Sequence, residues 1–346
     1  MNLNPGRLAA TTMPVGTSWL LGACMEGRGK QDLWTKQKPE VLAALREQAI
    51  IQSAESSNRI EGVTVAPSRL RPVVLGAAKP RDRSEEELAG YRRALDWIFG
   101  LKGVRSINPG AIQKIHALAQ GGHSGDAGQW KQRDNEIMEV LPDGRRRIRF
   151  IPTPARDTPR AIAALCDAYR IVLAEEGVPP LLAVATFVFD VLCVHPFRDG
   201  NGRASRLITT LLLKAHGFEV VRYVSLERLV EARKEEYYGI LEVCSNGWHE
   251  STNEIVPWWN FFLAVLRSGY REFESQVESS SARPAKSELV RRVVMEQLGR
   301  FTLADLVVRS PGTSPQLIKK ILAELKREGR VRLSGKGRGA EWEVVS

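Results

Sequence analysis

The sequence predicts a mainly α protein with a small second domain at its C-terminal side. Three observations predict it. Apolar residues recur at helical spacing through most of residues 40–275. Proline and glycine mark the starts and stops of those runs. A serine-rich stretch, residues 276–285 (QVESSSARPA), then separates a final basic segment of different texture.

Each element has its own signal. Residues 1–34 carry Gly6, Pro5, Pro14, Gly16, Gly22, Gly27 and Gly29 and read as an irregular arm. Pro39 opens a helix carrying Val41, Leu42, Leu45, Ala49 and Ile50, with Gly62 as its stop. Residues 85–99 form an amphipathic helix with an acidic start, and Pro109 opens a third that stops at Gly121-Gly122. Two strand-like pieces within residues 130–151 flank Pro142-Asp143-Gly144, a hairpin signal. Arg145, Arg147 and Arg149 give that hairpin a basic face. A helix follows Pro159. The next, after Pro179-Pro180, is apolar almost all round and belongs in a core. Residues 203–216, 225–245 and 256–280 supply further helices. Trp258 and Trp259 beside Phe261 and Phe262 read as core packing.

Composition narrows the function classes. The 346 residues are 43% hydrophobic and 26% charged, which suits a folded globular chain rather than a disordered one. No run of about 18 uncharged apolar residues is present, so no membrane span is expected. The first residues lack the continuous apolar core of a secretory signal. Cys24, Cys166, Cys193 and Cys244 show no CxxC spacing, which points to a reducing cytoplasm rather than a disulfide framework or zinc site. His116, His123, His216 and His249 show no metal-ligand spacing and read as structural or solvent-facing. Of the net charge of +10, residues 283–346 hold +7, from 14 Lys/Arg and 7 Asp/Glu. An anionic partner, nucleic acid first, is expected there.

The chemistry concentrates in His195-Pro196-Phe197-Arg198-Asp199-Gly200-Asn201-Gly202-Arg203-Ala204-Ser205-Arg206. A core helix ends at His195, a tight turn follows, and a new helix begins at about Arg203. Backbone N–H groups at such a turn and helix start cradle anions. Gly200 and Gly202 let the backbone approach a phosphate. Arg203 and Arg206 share one helix face and offer forked contacts to phosphate oxygens. Asp199 is a hard oxygen ligand for Mg²⁺, and His195 can accept a proton from a hydroxyl. Together these residues point to phosphoryl or nucleotidyl transfer.

This run resembles the Fic motif, HxFx(D/E)GNGRxxR, and matches it at every fixed position. The resemblance covers roughly residues 40–275. It implies a Fic-type helical core with a β-hairpin flap and transfer of AMP from ATP to a Ser, Thr or Tyr hydroxyl of a target protein. On that resemblance His195 is the general base and Asp199 holds Mg²⁺. Gly200, Asn201 and Gly202 form the anion hole, with Asn201 near the α-phosphate. Arg203 meets the β-phosphate, Arg206 meets the γ-phosphate, and Phe197 anchors the loop. Ile137 and Met138 lie on the flap that positions the target. The intact Gly200-Asn201-Gly202-Arg203 favours AMP transfer over the phosphorylating branch of the family. At the flap entry, Gly128-Gln129-Trp130-Lys131 has lysine where the family often has arginine.

Ser57-Asn58-Arg59-Ile60-Glu61-Gly62 resembles the family's inhibitory motif, (S/T)xxxE(G/N). Ser57 and Glu61 share a helix face. The resemblance implies that Glu61 pairs with Arg206 and restrains the enzyme, as in the N-terminal-inhibited class. A second enzymatic reading has Glu61 position water to remove AMP from a target. A non-enzymatic reading is a DNA-binding regulator whose Fic body senses nucleotide.

Beyond the linker, three helices and a strand pair around a glycine-rich turn resemble a winged helix-turn-helix, with Ser314 capping the third helix. Lys319, Lys320, Lys326 and Arg327 on that helix, and Arg330, Arg332, Lys336 and Arg338 around the wing, make DNA a candidate partner. A homodimer is another. The expected organisation is an N-terminal arm and helical region over 1–110 with the inhibitory helix around 40–62. A Fic catalytic domain follows over 111–275 with its flap at about 130–151, then the linker over 276–285 and the winged domain over 286–346.

Overall fold

The computed structural model describes residues 1–36, 39–103, 107–121, 125–140, 144–175, 177–282, 286–297, 299–310, 313–335 and 340–345. They form two compact units, Met1–Glu274 and Ser275–Ser346. The chain is mainly α.

The first unit opens with α1 (Pro5–Ala10), α2 (Val15–Thr35), α3 (Pro39–Ile60), α4 (Pro67–Val74), α5 (Arg83–Gly100) and α6 (Pro109–Gln120). An antiparallel hairpin follows, β1 (Ile137–Val140) with β2 (Arg146–Phe150), in the register Met138↔Ile148 and Glu139↔Arg147. Then come α7 (Thr158–Ala174), α8 (Pro180–Val194), α9 (Asn201–Ala215), α10 (Leu226–Glu231), α11 (Lys234–Ser245) and α12 (Val256–Ala282), whose residues from Ser275 on belong to the second unit.

Helix α8 lies in the middle of the core. Phe187, Val188, Phe189, Val191 and Val194 are all buried, as its all-round apolar sequence requires. Trp258 and Trp259 of α12 pack on it and donate their indole N–H groups to the Ala185 carbonyl and Thr186 Oγ1. Asp190, also on α8, is buried. Its carboxylate accepts from the Asn2 and Leu3 backbone and from Trp248 Nε1. Helix starts follow the sequence signals. Asp82 caps α5 and Asn108 caps α6 ahead of Pro109, while Gly121 at φ 69° ends α6.

The expectation of an irregular arm over residues 1–34 is wrong, because those residues fold into α1 and α2. Glycine costs about 1 kcal/mol in a helix interior relative to alanine, and packing outweighs that cost here. A β-carbon on Gly27 would lie 2.6 Å from the Tyr270 ring. The glycine therefore permits α2 to approach α12 closely, and Trp34 packs on Tyr270 and Phe273. Helix α4 has no counterpart in the sequence reading, since Pro72 lies inside it. Helix α9 starts at Asn201, two residues before the expected Arg203. The hairpin's Pro142 and Asp143 lie outside the described residues, as do Gly122, His123, Pro311, Gly312, Lys336 and Arg338.

The second unit holds α13 (Lys286–Met295), β3 (Arg300–Thr302), α14 (Leu303–Arg309), α15 (Pro315–Arg327), β4 (Val331–Ser334) and β5 (Glu341–Val344). The strands form an antiparallel sheet ordered β3-β5-β4. Val290, Val294, Phe301, Leu306, Ile318 and Leu322 are among the residues of its own core. Ser314 caps α15 by accepting from the Leu317 N–H. Lys319, Lys320, Lys326, Arg327, Arg330 and Arg332 are all exposed.

Candidate active site

Helix α8 ends at His195 in the left-handed conformation, φ 50° and ψ 60°. That conformation is uncommon for a residue other than glycine, so the surroundings must hold it. Its Nδ1 lies 3.2 Å from the Leu192 carbonyl. A carbonyl only accepts, so Nδ1 carries the proton and Nε2 is left as the basic nitrogen. Burial pushes the imidazole down to about 4; Lys131 and Arg149 act in the same direction, while the Leu192 bond and Glu61 oppose them. The ring is therefore neutral at physiological pH.

The turn after His195 is fastened from within. Asn201 Oδ1 accepts from the Phe197 N–H at 2.9 Å, and its Nδ2 donates to the Phe197 carbonyl at 2.8 Å. Asn201 thus closes the loop with both atoms of its amide. Phe197 is fully buried and stacks on His116 with ring centroids 3.7 Å apart. His116 Nε2 meets the Asp199 carbonyl at 2.9 Å, and Nδ1 accepts from the Gly128 N–H at 2.9 Å. Gly200 has φ 76°, and a β-carbon there would lie 2.6 Å from Gln120 Nε2. The positive φ is what favours glycine here.

The arginines of α9 point to carboxylates. Arg203 is buried and pairs with Glu87 of α5 at 2.6 Å, with Asn58 Oδ1 at 3.3 Å. Arg206 Nη2 pairs with Glu61 Oε1 at 2.7 Å and donates to the Ser57 carbonyl at 2.9 Å. Its Nε donates to Ser57 Oγ at 2.8 Å. The structure thus brings Ser57, Glu61 and Arg206 together. Glu61 is an exposed residue, its side chain 30% accessible, just past the end of α3, which is tied to α10 through Ser53–Glu227 and Arg59–Glu231. A β-carbon on Gly202 would lie 2.1 Å from Glu61 Oε1. The Glu61 carboxylate therefore sits against the first turn of α9, where a helix start favours negative charge.

His195, Glu61 and Gly202 line one cleft of about 670 Å³ with Ile137, Met138, Arg149 and Tyr238. Met138 is half-exposed on β1, and the Arg149 guanidinium lies 5.5 Å from the Tyr238 ring centroid. The basic face is partly neutralised, since Arg147 pairs with Glu139 and Glu242.

The residues fit a nucleotide's phosphates and a divalent ion. Arg206 Nη1 and Arg203 Nε are buried without a hydrogen-bond partner among the described residues, leaving two donors for an anion. The Asp199 side chain is 53% exposed and pairs with Arg83 at 2.7 Å. A single accessible carboxylate suits an Mg²⁺ ion that takes its other ligands from phosphate and water. Among the described residues no cluster of three or more His, Cys, Asp or Glu side chains forms a protein-only metal site.

The sequence reading does not connect the supporting residues to the motif, although it reads His116 as structural or solvent-facing and notes Lys131 at the flap entry. His116, Gln120, Lys131 and Asn135 hold the turn, while Asn58 and Glu87 hold Arg203. Lys131, the lysine at the flap entry, is buried. Burial pushes its ammonium down to about 8. Nothing in the polar sequence around Lys131, Gln129 to Asn135, signals this burial.

Residues 106–213 match the family model described as the Fic/DOC family. The chain is 24% identical over 255 residues to a protein adenylyltransferase Fic from Nematostella vectensis; the match covers 71% of this chain and 53% of that protein, so the chain spans about half the relative's length. A Fic family protein from Desulfovibrio desulfuricans G20 has a similar fold, with TM-score 0.63 and 21% identity over 99% of this chain and 98% of that one. A Fic domain containing signaling protein from Bacteroides thetaiotaomicron also reaches 0.63, at 18% identity over 74% of this chain and 97% of that one. Fic-1 from C. elegans (residues 134–508) reaches 0.61, at 19% identity over 76% and 73%. With the motif turn, the hairpin and the helical core in place, the chain carries a Fic/DOC family domain.

Proposed function

We propose that the protein is an adenylyltransferase that moves AMP from ATP to a hydroxyl of a target protein, restrained by Glu61. One observation carries this reading. A neutral imidazole with a free Nε2 shares a cleft with a helix start whose anion seat is filled by the chain's own carboxylate. The relative named as a protein adenylyltransferase supports the same chemistry.

His195 Nε2 takes the proton of the target hydroxyl as the oxygen attacks the α-phosphorus. The bond from that phosphorus to the oxygen bridging the β-phosphate breaks, and pyrophosphate leaves. Gly200 and Gly202 keep the backbone open to the phosphates, and Asn201 holds the turn that presents it. Arg206 binds the terminal phosphate once Glu61 releases it, and Arg203 adds positive charge from below. Asp199 would hold Mg²⁺, and the ion would supply positive charge against the phosphates. The flap offers backbone bonds to an extended target segment beside Ile137 and Met138. With Glu61 on Arg206 the α-phosphate is poorly aimed, which supports a reading of the protein as N-terminal-inhibited.

Mass spectrometry after incubation with ATP and Mg²⁺ tests this reading. An added AMP on the protein or on lysate targets is expected, strongest in Glu61→Gly and absent in His195→Ala. No transfer in any of these samples would overturn it. Glu61 also faces the cleft beside His195, which favours a second reading in which it positions water to remove AMP. Loss of AMP from a modified target, abolished in Glu61→Gly, distinguishes that reaction. The exposed cations of α15 and β4 support duplex DNA as a partner of a winged C-terminal unit, with salt-dependent binding as its test.

A further inference from the structure

Lys131 brackets the base from both sides. Its Nζ donates to the Val194 carbonyl at 3.3 Å, just before His195, and its backbone N–H donates to the Pro196 carbonyl at 2.9 Å, just after it. Its Nζ also donates to Asn135 Oδ1 at 2.8 Å, and Asn135 Nδ2 donates to the Phe197 carbonyl at 3.2 Å. Lys131 is buried, so this cation is poorly screened by water. The bracketed residue, His195, is itself held at positive φ.

We propose that Lys131 is a positioning residue for His195: its side chain and backbone pin the left-handed turn from both sides, and its buried cation faces the imidazole. The charged groups facing His195 are Lys131, Arg149 from β2 and Glu61 at the end of α3, and Asp134 faces Lys131 from the loop. Lys131 and Arg149 disfavour the imidazolium, and Glu61 favours it. Burial also holds the Lys131 ammonium near 8, so its charge is lost within an accessible pH range. When it is lost, His195 becomes the stronger base.

The test reads His195 directly, by NMR titration of its ring nitrogens in the full chain without nucleotide. It therefore stands apart from whether AMP is the group transferred, although the catalytic meaning of the result rests on that reading. In Lys131→Gln the His195 midpoint rises by about one pH unit, the scale on which one nearby charge moves a pKa. In Lys131→Arg it stays low. The wild type shows a second, smaller inflection of the same signals near pH 8, which Lys131→Arg removes. An unchanged midpoint in Lys131→Gln overturns the proposal. If that variant does not fold, the absence of the wild-type inflection overturns it instead. Should AMP transfer be established, its acid limb in a Glu61→Gly background moves upward with the same substitution.

Discussion

The two ends of the 195–206 segment are held in opposite ways. At the histidine end the protein closes on itself. Asn201 clamps Phe197, Phe197 stacks on His116, and Lys131 and Asn135 tie down the carbonyls around the base. At the arginine end, carboxylates hold the guanidinium groups. Those two carboxylates differ in turn. The Glu87 side chain is 2% exposed, while that of Glu61 is 30% exposed and lies in the cleft. A buried partner cannot be exchanged without unfolding its surroundings, whereas one at a cleft wall can be displaced by a competing anion. The turn at His195 is fastened from within, whereas Arg206 is held by a carboxylate that faces the cleft.

The comparison can be broken most decisively at the base. In a Glu61→Gly background, His195→Ala should lower AMP transfer by about 10²–10⁴-fold, the range of general-base catalysis. Quantifying AMP-modified product over time checks it. Glu61→Gly alone should raise transfer by about 100-fold, the scale on which misplaced reactants lose rate. Unchanged initial rates would mean that the pair with Arg206 is no restraint. Next comes stability. Glu87→Ala strands a buried Arg203 and should cost about 3–5 kcal/mol. Glu61→Ala removes a more accessible partner and should cost about 1 kcal/mol. Equal costs in urea melts would erase the distinction between the two carboxylates.

The smallest effect is in pH. Because folded His195 is held near 4 and an unfolded histidine titrates near about 6.5, the unfolded chain takes up the proton first as pH falls. The stability contributed by His195 is complete above about 6.5 and drains away between there and 4. Transfer by the Glu61→Gly enzyme should likewise persist at pH 5. A rate that halves near 6.5 would place His195 outside its buried setting.

The motif was legible because its parts are neighbours in the chain. Twelve consecutive residues carry His195, Asp199, the turn and the two arginines. The place of Glu61 was legible from its spacing to Ser57, since one helical turn puts both on the Arg206 side. The supporting network was not, because its links are spatial. Lys131 lies 63 residues from Val194, and Glu87 looked like one more charge in an acidic helix start. Helix α2 was misread because its glycines count against a helix until the Tyr270 ring shows why Gly27 is needed.

The left-handed backbone at His195 affects how the residue can be probed. Replacing it with alanine changes two things together, removing the imidazole and placing an ill-suited residue at φ 50°. Asparagine tolerates that backbone region and carries no base. A His195→Asn protein should therefore be equally inactive yet about 1 kcal/mol more stable than His195→Ala, making it the cleaner inert control for trapping a bound target.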